Sequence, residues 1–297
     1  MVSACTLLAL FLLSRDTSVA EDRPPAPANL GDTPAKAADT RKKILFFSKC
    51  NEYEDAMVRR ANGQLSLAEG MLSELGKQSR LVVTCTKDGS IFTREKIAEY
   101  DAFCFFTSGD LTQAVGDGNP PMSAAGKAAL LQAIVDGKGF LGIHSAANTF
   151  TSGAQGVDPY IKMLGGELKV RVRGMGPAHQ IVVDSKFPGM ASVPDEFSPV
   201  EEWYALRSFS TNLHVLLVQD TASMSRGSYY APNYPSTWAQ KYGQGRVFYT
   251  SMGHQADVWH SQVFQQLLAG ALRWTAGLVA ADVTPNIDKM TPGVNKQ

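Results

Sequence analysis

Gly139-Phe140-Leu141-Gly142-Ile143-His144-Ser145-Ala146-Ala147-Asn148 reads as a buried strand running into a tight corner. Phe140, Leu141 and Ile143 are the buried run, His144 is the one polar side chain presented at the corner, and Ser145, Ala146 and Ala147 are small enough for the chain to leave as a helix. This is the layout of a nucleophile elbow, whose corner residue stands above the carboxyl edge of a parallel sheet. Enzymes place Ser or Cys there, whereas this chain places His. The location of a site is therefore readable, and its reaction is not.

Working outward, the flanking segments repeat the same alternation. Ile44–Phe47, Leu81–Cys85 and Asp101–Thr107 read as further apolar strands. Between them, apolar residues at helical spacing predict a helix over Glu54–Gly76 with Gly76 as its C-cap, and Thr93 caps a short helix through Ile97. Ser123 caps another helix reaching about Asp136. Arg246–Tyr249 is a late strand, and an amphipathic helix spans roughly His260 to Trp274. Strands that are apolar throughout and alternate with helices predict an α/β fold with a covered parallel sheet. Ligands of such sheets bind beyond the carboxyl ends of the strands. That rule nominates Ser48–Asn51, Thr107–Leu111, His144–Thr149 and Thr250–His254. Between Gly165 and Tyr242 the pattern changes to short β-like pieces (Leu168–Val172, His179–Val183, His214–Val218 and Ser236–Lys241), read as a small β-rich antiparallel insert or extension.

The chain has 297 residues, 44% hydrophobic and 19% charged, as in an ordinary soluble domain. Lys+Arg and Asp+Glu are both 28, and no basic stripe exists, so no nucleic-acid partner is expected. Ala4–Leu13 is an apolar run followed by Ser18-Val19-Ala20, a small-x-small cleavage site; residues 1–20 read as an export signal, giving a periplasmic or secreted protein. The run is too short for a membrane span, which needs ~20 apolar residues. Residues 21–40, with Pro24, Pro25, Pro27 and Pro34, read as a disordered Pro/Ala-rich linker, 41–279 as the domain and 280–297 as a C-terminal tail. Cys50, Cys85 and Cys104 have no CxxC spacing and read as buried free thiols.

Of five histidines, His144 and His254 each directly follow a buried strand and are expected to converge in one pocket. His179 begins a strand of the insert, His214 reads as structural and His260 as a surface residue. Glu201-Glu202-Trp203-Tyr204 adds two carboxylates beside an aromatic pair. Three histidines and a glutamate suit either a general acid/base set or zinc, although no HExxH spacing supports the metal. No phosphate loop is present, since Gly116-Asp117-Gly118-Asn119-Pro120-Pro121 lacks the required spacing, so no nucleotide cofactor is evident. Aromatic faces stack on sugar rings, which brings in Trp203, Trp238 and Trp259 with Tyr204, Tyr229, Tyr230, Tyr234 and Tyr242. Asp110 lies on the loop after the third strand and reaches the same sheet edge.

Three motifs in order, Gly139–Phe150, Glu201–Tyr204 and Pro235–His254, resemble the ThuA-like, or trehalose-utilisation, family, over about residues 42–277. The resemblance implies a class I glutamine amidotransferase-like fold, a flavodoxin-like three-layer α/β sandwich with a mainly parallel sheet. It puts His144 where the amidotransferases hold their nucleophilic Cys, and His254 near their catalytic His. A Cys-dependent amidotransferase is thereby excluded. It further implies a hydrolase or lyase acting on a disaccharide or keto-sugar, with the alternative of a sugar-binding module that lacks turnover. On this reading His144, His254 and Glu202 are the catalytic candidates, and Asp110, Asn148, His179, Tyr204 and Trp238 the substrate contacts. The chain departs from the family pattern at Asp55, where related chains carry His. It also departs at Asn148 and Thr151, where they carry Asp and His, and at Arg171 and Arg173 in place of a further His.

Overall fold

A computed structural model describes residues 40–171, 175–224 and 232–296. The expected signal, the linker to residue 39, Arg173, Tyr229 and Tyr230 lie outside the described residues. Among the described residues no helix is long and apolar enough to cross a membrane.

The unbroken apolar runs form β1 (Lys43–Phe47), β2 (Val82–Thr86), β3 (Ala102–Phe105) and β4 (Gly139–Ile143). The later segments form β5 (Glu167–Arg171), β6 (Gly176–Pro177), β7 (His179–Val182), β8 (Glu196–Phe197), β9 (Val200–Glu201), β10 (Tyr204–Arg207), β11 (His214–Asp220), β12 (Tyr234–Tyr242) and β13 (Gly245–Thr250). Nine of them make one sheet, in the order β2-β1-β3-β4-β13-β12-β11-β7-β8. The first five run parallel and the others continue the sheet antiparallel. The β-rich region is thus mainly an extension of the same sheet, with the ribbons β5/β10 and β6/β9 beside it.

The helices are α1 (Leu67–Gln78), α2 (Arg94–Ala98), α3 (Ala124–Val135), α4 (Pro159–Leu164), α5 (Ala256–His260), α6 (Gln262–Thr275) and α7 (Ile287–Met290). Helix α6 packs on β4, β13 and α1, whereas α3 packs against α2, α4 and β13. Thr93 and Ser123 cap α2 and α3 as their sequence positions predict.

Four expectations are corrected. The helix over Glu54–Gly76 shrinks to α1, because Ser66 and Glu69 form a capping box there and Asn62 and Gly63 take positive φ just before it. Gly76 is not its cap: the helix runs on to Gln78, and a Cβ on Gly76 would meet Val83 Cγ2 at 2.6 Å. The closing helix is two helices, since Ser261 ends α5 and caps α6, which places His260 at a helix end. After the elbow the chain makes only a 3-10 turn, His144–Asn148. The segment after residue 279 packs on β11, where Asn286 exchanges hydrogen bonds with Val215 (2.6 and 3.2 Å).

Candidate active site

The register of the two central strands builds the site. Thr250 of β13 sits opposite Ile143 of β4, so the residues that follow each strand, Ser251 and His144, are neighbours at the carboxyl edge. The Nδ1–H of His144 donates to the Ser251 carbonyl at 2.8 Å. A carbonyl can only accept, so the proton belongs on Nδ1, and Nε2 is the nitrogen turned to the site. His144 has φ +44°, the sparsely populated left-handed region that a strained corner occupies. The small residues of the quoted stretch are required here. A Cβ on Gly142 would come within 2.7 Å of Leu164 and 3.2 Å of Ala146 Cβ.

His254 arrives three residues past Ser251. Its ring lies 5.2 Å from that of His144. Two neighbours hold its loop: the Glu201 carboxylate accepts the N–H groups of Gly253 (2.7 Å) and His254 (3.1 Å), and Trp259 donates to the Gly253 carbonyl (2.7 Å). Burial pushes the Glu201 carboxyl up, against the pull of His144, of the Gly253 N–H and of His254.

Asp55 completes the group. It caps the 3-10 turn Ala56–Val58 through Oδ1 and presents Oδ2 to His254 Nδ1 at 2.6 Å. Burial opposes a charge on His254, but the Asp55 hydrogen bond and the charges of Asp55, Glu202 and Glu201 lift its pKa above the ordinary imidazole value. Glu202 Oε2 stands 3.5 Å from His144 Nε2 and 4.0 Å from His254 Nδ1. Asp55, His144 and His254 each offer one ligand atom, all within 4.8 Å of one another, a set able to hold a metal ion.

Of the residues expected from the sequence, His144, His254 and Glu202 are brought together. Tyr204 is also there, but buried: it stacks on the His144 ring at 4.3 Å and is 1% exposed. An open cavity shared by the two imidazoles is not what the structure shows. His144 is 0% exposed, sealed by Tyr204 and Phe106, and the site meets solvent through His254 and Glu202, whose side chains are 17% and 13% exposed. The described clefts of 390–770 Å³ are lined by other residues.

Trp238 is in the core, with Nε1 donating to the Leu164 carbonyl (2.8 Å) and its ring on Tyr249, so it has no face for a sugar. His179 is on β7, three strands beyond β13, paired with Glu196 and Asp220. It follows the antiparallel extension away from the site. Asp110 uses its carboxylate on its own loop, accepting from Thr112 and Gln113, and lines a separate 400 Å³ cleft with Glu52 and Lys127. Asn148 donates to Glu52 at 2.8 Å on the same side. Asp55 is the site residue that the sequence reading did not select. Its position as a departure from the related chains was the available signal. Cys50 and Cys85 are half-buried and Cys104 buried, and burial raises all three thiols, Cys85 to about 11.

The family model ThuA, trehalose utilisation, matches residues 43–275. The chain belongs to the ThuA family. Two ThuA-like proteins of known structure share its fold. One from Bacteroides uniformis is 22% identical with TM-score 0.62, and one from Parabacteroides merdae is 17% identical with TM-score 0.57. Each comparison covers 82% of this chain and 95% of the other. A protein from Salmonella typhimurium described as cytoplasmic is similar at 12% identity and TM-score 0.50, over 78% of this chain and 98% of its own. No curated protein matches the chain.

Proposed function

We propose that this ThuA-family protein processes a carbohydrate, as a hydrolase or lyase acting on a disaccharide or keto-sugar. The observation that carries the reading is the facing pair of imidazoles with Glu202 beside both, at 3.5 and 4.0 Å. Breaking a sugar linkage, or eliminating from a keto-sugar, needs a group that gives a proton and one that takes it. Glu202 and the imidazoles of His144 and His254 supply these as acid/base or ligand groups. Asp55 sets the orientation of His254, and the Tyr204 ring that of His144. The family description, trehalose utilisation, supports the substrate class. A sugar would meet the site at its His254–Glu202 side.

A second reading, sugar binding without turnover, is favoured by one observation: His144 is sealed from solvent in this conformation. A thermal-shift screen of glycosides and their keto forms tests both, because a ligand of the folded state raises the melting temperature by mass action. A shift accompanied by product release that disappears in His144→Gln supports the enzyme. A shift without product supports the module, and no shift with any sugar contradicts both.

The proposal extends to the wider organisation. The strand order β2-β1-β3-β4-β13 has the 2-1-3-4-5 form of flavodoxin-like sheets, which supports a three-layer amidotransferase-like sandwich. Residues 1–20 act as a cleaved export signal and 21–40 as a linker, so that the mature protein is periplasmic or secreted. N-terminal sequencing of the exported protein should begin at Glu21, and a chain retaining Met1 would contradict this.

A further inference from the structure

We propose that the pocket binds one divalent first-row transition ion, represented by zinc, through His144 Nε2, the His254 imidazole and the Asp55 carboxylate. The inference rests on the site reading above and assigns the imidazoles the ligand role. Two independent observations carry it.

The first is geometric. The three residues come from different elements, after β4, after β13 and after β1, yet each turns one ligand atom to within 4.8 Å of the other two. Ligands about 2.0–2.2 Å from a tetrahedral ion stand roughly 3.4 Å apart. Small side-chain rotations close the group onto an ion, which takes the place of the proton shared by His254 Nδ1 and Asp55 Oδ2.

The second is an orphaned atom. His144 is 0% exposed, and its Nε2 has no hydrogen-bond partner. Leaving a buried polar nitrogen unpaired is costly, so such an atom calls for an explanation. Its other nitrogen is fixed by the Ser251 carbonyl, the outer hydrogen bond that metal-ligating histidines characteristically make, leaving the Nε2 lone pair for an ion. Two imidazoles and one carboxylate suit zinc or a neighbouring first-row ion better than calcium or magnesium, which take oxygen ligands. Glu202, 3.5 Å from the same Nε2 and partly exposed, faces the open fourth position that catalytic ions keep for water or substrate.

The test is calorimetric titration of zinc into the full chain after chelator dialysis, with no sugar present. One ion per chain is expected, with the same affinity in His260→Ala, an exposed control. His144→Gln and Asp55→Asn should each weaken binding by about 100-fold or more, beyond the losses seen for outer-shell changes. Asp55→Asn keeps the oxygen that caps Ala56–Val58, so it reads the ligand role even where His144→Gln fails to fold. No binding, or binding unchanged in Asp55→Asn, overturns the inference. The sugar screen repeated in chelator separates the two readings. A sugar shift that survives with no zinc site overturns the ion alone, whereas zinc binding with no sugar shift overturns the carbohydrate reading alone.

Discussion

His144 and Gly253 illustrate how single residues set the corner. Gly253 has φ +129°, and a Cβ there would lie 2.8 Å from Ile143 Cγ2 and 3.6 Å from His144 Cβ. Gly253→Ala combines a disallowed backbone with a contact at the base of the elbow. The expected loss is about 1–3 kcal/mol, read by denaturant unfolding. A variant as stable as wild type would show that the loop carrying His254 has room to shift. At this scale the sequence was legible where local chemistry decides placement. A lone polar residue closing an apolar strand, as at His144, points to an edge, and His254 follows four residues after the end of β13. Trp238 and His179 were misplaced because their surroundings are set by distant partners, Leu164 for one and Glu196 for the other. Asp55 was passed over because nothing nearby in sequence shows that a residue 199 positions away completes it.

Among the elements, the caps Thr93 and Ser123 were legible, whereas the caps Ser66 and Ser261 and the helix lengths were not. Ser66, Thr93, Ser123 and Ser261 each accept from a backbone N–H of the helix they begin. Ser66→Ala should cost ~1 kcal/mol in unfolding free energy. No change would mean that Glu69, also paired with Arg60 at 2.7 Å, holds the turn alone. The apolar spacing over Glu54–Gly76 looked continuous because spacing does not register the turn at Asn62-Gly63. The ribbon β5/β10 depends on Glu167, a buried carboxylate that accepts from Ser152 N–H (2.8 Å), Arg207 Nε (3.1 Å) and Ser208 Oγ (3.0 Å). Burial raises its pKa, but the bonds from Ser152 and Ser208 and the Arg207 charge outweigh it, and the net direction is down. Its folded state therefore prefers the ionised form. That stability is complete above the unfolded carboxylate value of about 4.3 and is lost as pH falls through the lower folded value. Melting temperatures of wild type and Glu167→Gln should differ at pH 7 and converge in acid; a gap that stays constant with pH contradicts this origin.

At the scale of the molecule, the parallel half of the sheet was legible and the antiparallel half only in outline. Near-continuous apolar strands announce a covered parallel sheet, whereas pairing order among short strands is set by long-range contacts that no local pattern encodes. The same holds for the tail. The sequence after residue 279 has no clear periodicity, yet Asn286 ties it to Val215 and Leu213, Asn295 ties it to Phe209, and Ile287 is buried. A chain ending at residue 279 should lose roughly 2–4 kcal/mol, a fall on the order of 5–10 °C in melting temperature. An unchanged melting temperature would mean that the strap adds nothing to the fold. The central claim concerns the meeting of two strand ends: His144 from β4 and His254 from β13 act as one site. The most direct test is the turnover of a sugar found by the screen, measured for His144→Gln, His254→Gln and the double variant. Residues that work as a unit lose their effect together, so the double variant should be no slower than the slower single variant. Losses that multiply, each imidazole contributing independently of the other, would contradict the account.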